Sequence, residues 1–110
     1  MLCGMSADYC VVLATFPDAA VAARILEGLL TARLAACVQT LPIQSAYRWQ
    51  GKIQRKPEVL ALIKTTAARY PEIEARIRAD HPYETPEIIR LPVADGFAGY
   101  LQWLDAETRP

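Results

Sequence analysis

The sequence predicts an α+β domain of order β-α-β-β-α-β, an antiparallel four-stranded sheet with two helices on one face, followed by a short C-terminal helix. Three observations predict it. Four apolar or alternating runs have strand character, two intervening segments carry helical periodicity, and the middle two runs meet at a tight turn around Gly51. This is the ferredoxin-like, split βαβ arrangement, with an unusually long hairpin between its second and third strands.

Each element has its own signal. "YCVVLATF" (9–16) is a short β-branched apolar run and reads as a buried strand. "PD" follows, with Asp18 placed to cap a helix. In "AAVAARILEGLLTARL", Val21, Ile25 and Leu29 form one stripe, Ala22, Leu26 and Leu30 lie beside it, and Arg24, Glu27 and Thr31 lie opposite. Gly28 costs this helix about 1 kcal/mol relative to Ala and is expected to permit close packing. From Ile43 the chain alternates, with Ile43, Ser45, Tyr47 and Trp49 on one face. Gly51 supplies the positive φ of the hairpin turn, and the return strand ends in the apolar run Val59 to Ile63. Pro42 and Pro57 are expected at bulges or sheet edges. Pro71 opens the second helix, Ile73 and Ile77 give its apolar face, and Pro82 stops it. "TPEIIRLPV" (85–93) reads as the last strand, and "FAGYLQWLDAE" (97–107) as a terminal helix anchored by Tyr100, Leu101 and Leu104.

The bulk numbers exclude several classes. A chain of 110 residues with 53 % apolar content is one domain with a core of its own. Twelve basic residues balance twelve acidic ones, which argues against nucleic acid or an anionic membrane as the main partner. No apolar run reaches the roughly 18–20 residues of a membrane span. The first residues, "MLCGMSADY", lack a signal-peptide pattern, and residues 1–8 read as a mobile tail. Three cysteines without C-x-x-C spacing suggest reduced thiols and a cytoplasmic home. No catalytic motif of the nucleophile-elbow, metalloprotease or P-loop kind occurs, so no catalytic residue is assigned.

The hairpin tip, roughly residues 43–57, extends past what two helices can cover. An exposed aromatic arm and an open sheet face are both liabilities that self-association resolves. Tyr47 and Trp49, with Trp103 from the terminal helix, are the expected interface residues.

These residues also resemble a known family. "RLAACV", "YRWQGK" and "HPYETPEI", in that order and within matching stretches from Val11 to Leu104, are similar to the CutA proteins, named for divalent-cation tolerance. The resemblance implies a ferredoxin-like subunit in a tight homotrimer, similar in plan to PII signalling proteins. It implies binding of copper or another divalent metal, and inter-subunit clefts that take a small ligand. Two positions depart from relatives with a copper site: Ala14 stands in place of a cysteine, and Asp80 in place of a second histidine.

The candidate site centres on His81, the only histidine. Asp80, His81, Glu84 and, at the start of the second strand, Cys37 offer imidazole, carboxylate and thiolate donors suited to Cu(II) or another divalent ion. No cofactor is obligatory. The competing reading places His81 in the last turn of a helix, satisfying free carbonyls, and Cys37 as a small buried hydrophobe. A second expectation is a cleft binding a small anionic ligand through Lys64, Tyr83, Glu87 and Trp103. There Lys64 is read as an anion contact or as a strand-end lysine reaching solvent.

Overall fold

The β-branched run Tyr9–Phe16 (β1) forms one of the two inner strands of a four-stranded antiparallel sheet. The computed structural model describes residues 8–110; Cys3 and the rest of the expected tail at 1–7 lie outside the described residues. After β1 come α1 (Ala19–Thr31), β2 (Cys37–Trp49), β3 (Lys52–Thr66), a 3-10 turn at Ala67–Arg69, α2 (Tyr70–Asp80), β4 (Ile88–Pro92) and α3 (Ala98–Glu107). The spatial order is β2-β3-β1-β4, as the ferredoxin-like pattern requires.

The register decides which side chains meet. Val12 opposes Ile63, and Ala14 opposes Ala61, so alternate residues of β1 and β3 face the helices. Cys10, Val12, Ala14, Phe16, Ala61 and Ile63 there pack against Ala22, Ile25, Leu26 and Leu29 of α1 and Ile73 and Ile77 of α2. The opposite face carries Val11 and Leu13 of β1, Leu60 and Leu62 of β3, Leu41 of β2, and Ile89 and Leu91 of β4. No helix covers this face out to its edges: Leu41 on β2 and Ile89 and Leu91 on β4 remain 43 %, 46 % and 44 % exposed, while Val11, Leu13, Leu60 and Leu62 on the inner strands are half-buried. The short helix α3 buries only Leu104 fully, with Leu101 half-buried and Tyr100 exposed. No helix among the described residues is long and apolar enough to cross a membrane.

Helix ends follow their chemistry. The Asp18 carboxylate accepts the Val21 N–H at 2.9 Å, the expected cap. At the other end of α1, Arg33 adopts φ 59°, the left-handed turn usually given to glycine. Its guanidinium donates to the Ala106 carbonyl at 2.8 Å, which accounts for an arginine there: the same residue ends one helix and binds the last turn of another.

Three expectations are corrected, and of the two places expected for the prolines the structure takes the sheet edge. Gly28 makes no close packing, since a Cβ there meets nothing within 4 Å. Leu30 turns to solvent at the margin of the helical stripe. Pro42 and Pro57 sit in an unbroken register, without bulges. Pro42 lies on the edge strand, and Pro57 lies beyond Val59, where β1 no longer flanks β3, so no central ladder loses a donor. The last strand begins at Ile88 opposite Ala14, because the stretch holding Pro82 and Pro86 leaves the sheet.

Because Gly28 sits in a helix interior beside open space, Gly28→Ala is expected to stabilise the fold by about 0.5–1 kcal/mol. Urea unfolding checks this, and an unchanged or lowered midpoint refutes it.

Candidate functional site

His81 is placed by the end of α2. Its N–H donates to the Ile77 carbonyl at 2.8 Å, closing the helix, and Pro82 prevents another turn. The extended backbone at His81 turns the imidazole inward, where the residue is buried and its ring stacks on Phe16 with centroids 5.2 Å apart. β4 stops pairing at Ala14, and the Thr15 carbonyl beyond it lies 2.7 Å from His81 Nε2. The Tyr83 backbone N–H donates to Nδ1 at 3.1 Å. A carbonyl can only accept and an amide N–H can only donate, so Nε2 carries the proton and Nδ1 is bare. Both ring nitrogens are thereby used, and a metal at either one must displace an internal hydrogen bond.

The four expected metal donors are not one group within a chain. Asp80 and Glu84 are exposed beside His81. Cys37, however, pairs with Lys64, six residues along β3 from Glu58, the strand residue that the His81 loop reaches through Tyr83. That is roughly 20 Å at strand rise. Among the described residues, no three histidine, cysteine or acidic side chains come together to hold a metal.

The expected ligand residues divide the same way. Lys64 donates to Gln39 on the neighbouring strand, at the Cys37 end. Burial, reinforced by the neighbouring Cys37, raises the Tyr100 pKa, and Trp103 tilts against Tyr100 at 5.6 Å, so Trp103 belongs to this end too. Tyr83 and Glu87 lie at the other end, near the strand positions of Glu58 and Ala14. Two surface hollows among the described residues, of about 520 and 270 Å³, contain none of these residues. Tyr47 and Trp49 stand exposed on the arm.

The structure also assembles a cluster that sequence reasoning missed. Tyr83 donates its hydroxyl to Glu58 at 2.9 Å and accepts from Lys56 Nζ at 2.6 Å. The Lys56 ammonium lies 4.0 Å from the Tyr83 ring centroid and 5.6 Å from that of Tyr47. Burial, opposed by Lys56 and reinforced by Glu58, raises the Tyr83 pKa. The Tyr83 hydroxyl in turn holds Lys56 above its ordinary value. Lys56 and Glu58 stand two apart on one strand face, a spacing visible in the sequence. That Tyr83 crosses to join them is not.

The family profile described as CutA1 divalent ion tolerance protein matches residues 10–107. The chain belongs to the CutA1 family. It is 46 % identical to the divalent-cation tolerance protein CutA of Thermus thermophilus over 99 residues, covering 89 % of this chain and 96 % of that one. It is 44 % identical to the Pectobacterium atrosepticum protein, over 93 % of this chain and 94 % of that one. Among solved structures, CutA1 from Oryza sativa matches with TM-score 0.91 at 36 % identity, over 94 % of this chain and 96 % of that one. A protein of Archaeoglobus fulgidus, described as a periplasmic divalent cation tolerance protein CutA, matches with TM-score 0.91 at 34 % identity, over 92 % and 99 %. Within this CutA1 chain, Ala14 is fully buried on the helix side of the sheet, whereas Asp80 is exposed.

Tyr83→Phe leaves the Glu58 carboxylate buried without its phenol donor and is expected to cost about 1–3 kcal/mol. A folded pKa above the ordinary 10.0 means that the contribution of Tyr83 is complete below pH 10.0 and is lost as pH rises through the raised value. Unfolding at increasing alkaline pH should therefore show a steeper loss for the native protein than for Tyr83→Phe. Parallel curves would remove Tyr83 from this role.

Proposed function

We propose that this CutA1 protein acts in divalent-cation tolerance as a ring of three copies. The observation that carries the reading is the uncovered apolar sheet face, with Leu41, Ile89 and Leu91 exposed beside a projecting arm that bears Tyr47 and Trp49. A second copy is the natural cover for such a surface. The charges support a head-to-tail contact. Residues 28–57 hold Arg33, Arg48, Lys52, Arg55 and Lys56 and no carboxylate. Residues 80–107 hold Asp80, Glu84, Glu87, Asp95, Asp105 and Glu107 against Arg90 alone. A basic arm meeting the acidic segment of the next copy is a heterologous contact, which closes into a ring when the rotation between copies is a whole fraction of a turn. Three is the number that the resemblance to CutA trimers implies.

Copper or another divalent ion meets exposed oxygen donors at Asp80 and Glu84, and a complete donor set requires groups from an adjacent copy. In this reading His81 keeps its structural bonds, and the carboxylates rather than the imidazole meet the ion. The small-ligand reading likewise needs two copies, because Lys64 and Trp103 lie at one end of a chain and Tyr83 and Glu87 at the other. The unpaired cysteines Cys10 and Cys37 favour a reducing, cytoplasmic compartment.

Light scattering should give three times 12.2 kDa, with dissociation promoted by salt because the arm contact is charged. A monomer at micromolar concentration would refute the ring. In calorimetric Cu(II) titration, native protein and His81→Ala should show the same weak binding. Saturable binding lost on His81→Ala would make the histidine a ligand after all.

A further inference from the structure

We infer that Glu58, Tyr83 and Tyr47 form a binding site for a primary ammonium ion, and that the chain's own Lys56 fills it. The parts are those that recognise such a cation: a buried carboxylate, an oxygen acceptor and two aromatic faces. The Glu58 side chain is only 6 % exposed, whereas that of Lys56 is 36 % exposed. The carboxylate is therefore the fixed wall, and the lysine, on its flexible stem, is the replaceable occupant.

An ordinary surface ion pair does not describe the arrangement. Lys56 Nζ stands 3.8 Å from the Glu58 oxygen, beyond hydrogen-bond length, and makes its short contact of 2.6 Å to the Tyr83 hydroxyl. The two rings flank the ammonium, with centroids at 4.0 and 5.6 Å, and solvent reaches its remaining side. The phenol oxygen accepts an N–H, so the site selects a primary ammonium over a quaternary one, which has no proton to donate. The tether supplies Lys56 at an effective concentration on the order of millimolar, so a free amine competes poorly while the lysine is present. The inference uses the side chains of a single chain and does not rest on the ring of three.

Chemical complementation tests it. Lys56→Ala empties the site, and ethylammonium chloride serves as the probe, with sodium chloride matched for ionic strength. Calorimetry should show saturable ethylammonium binding to Lys56→Ala at least about tenfold tighter than to the native protein. The same titration should give no binding for Lys56→Ala combined with Glu58→Gln, nor for Lys56→Ala with tetramethylammonium. Equal binding by native and Lys56→Ala proteins, binding that survives Glu58→Gln, or equal binding of tetramethylammonium would each overturn the site. If Lys56→Ala does not fold unaided, its refolding yield is compared in the two salts. A higher yield in ethylammonium supports the site, and equal yields overturn it.

Discussion

The rest of the structure depends on a mismatch of strand lengths. β3 runs for 15 residues, but β1 has only eight with which to pair it. The pairing with β1 ends at Val59. Beyond that point β2 and β3 continue alone as a two-stranded arm, which draws the subunit out to 50 Å against 25 and 21 Å in the other directions. A hairpin without a third strand or a packed face is marginal in water. Its root must be held from the body of the domain, and its flanks must find cover elsewhere.

The segment from His81 to Tyr83 supplies the hold at the root. His81 ends α2, donates to the Thr15 carbonyl beyond the reach of β4, and accepts the Tyr83 N–H. Those bonds aim Tyr83 across to Lys56 and Glu58, where β3 leaves the sheet. The histidine is thus explained by structure before any ligand is invoked. The need to orient Tyr83 fixes its tautomer, and the need to end a helix at Pro82 fixes its place in the chain.

Much of this fold was legible because local chemistry and global topology agree. The hairpin register follows from alternation and from Gly51, whose φ of 77° is the positive value its turn demands. Gln50 shares that turn at φ 50°, which nothing in its side chain announces. Gly28 misled for a related reason: a glycine in a helix can mean close approach or no contact at all, and only packing tells them apart. The site was less legible still. Donors adjacent in sequence, such as Asp80 and His81, diverge because one side chain turns out and the other turns in. Cys37 and His81 offer compatible donor types, but the sheet sets them at opposite ends.

Balanced net charge conceals the last constraint. Twelve cations and twelve anions suggest an electrically featureless chain, yet the arm carries cations alone until Glu58, and that one carboxylate is buried at its root. An arm of one sign repels its own copies and is attracted to the acidic stretch that follows α2. Within one subunit Arg33 and Lys56 reach the segment after α2, at the Ala106 carbonyl and the Tyr83 hydroxyl, and neither bond is to one of its carboxylates. The apolar sheet face poses the same problem, since Leu41, Ile89 and Leu91 at its two edges stay exposed. The ring proposed above would meet both in one step, because a second subunit packed on this face brings its own acidic segment to the arm.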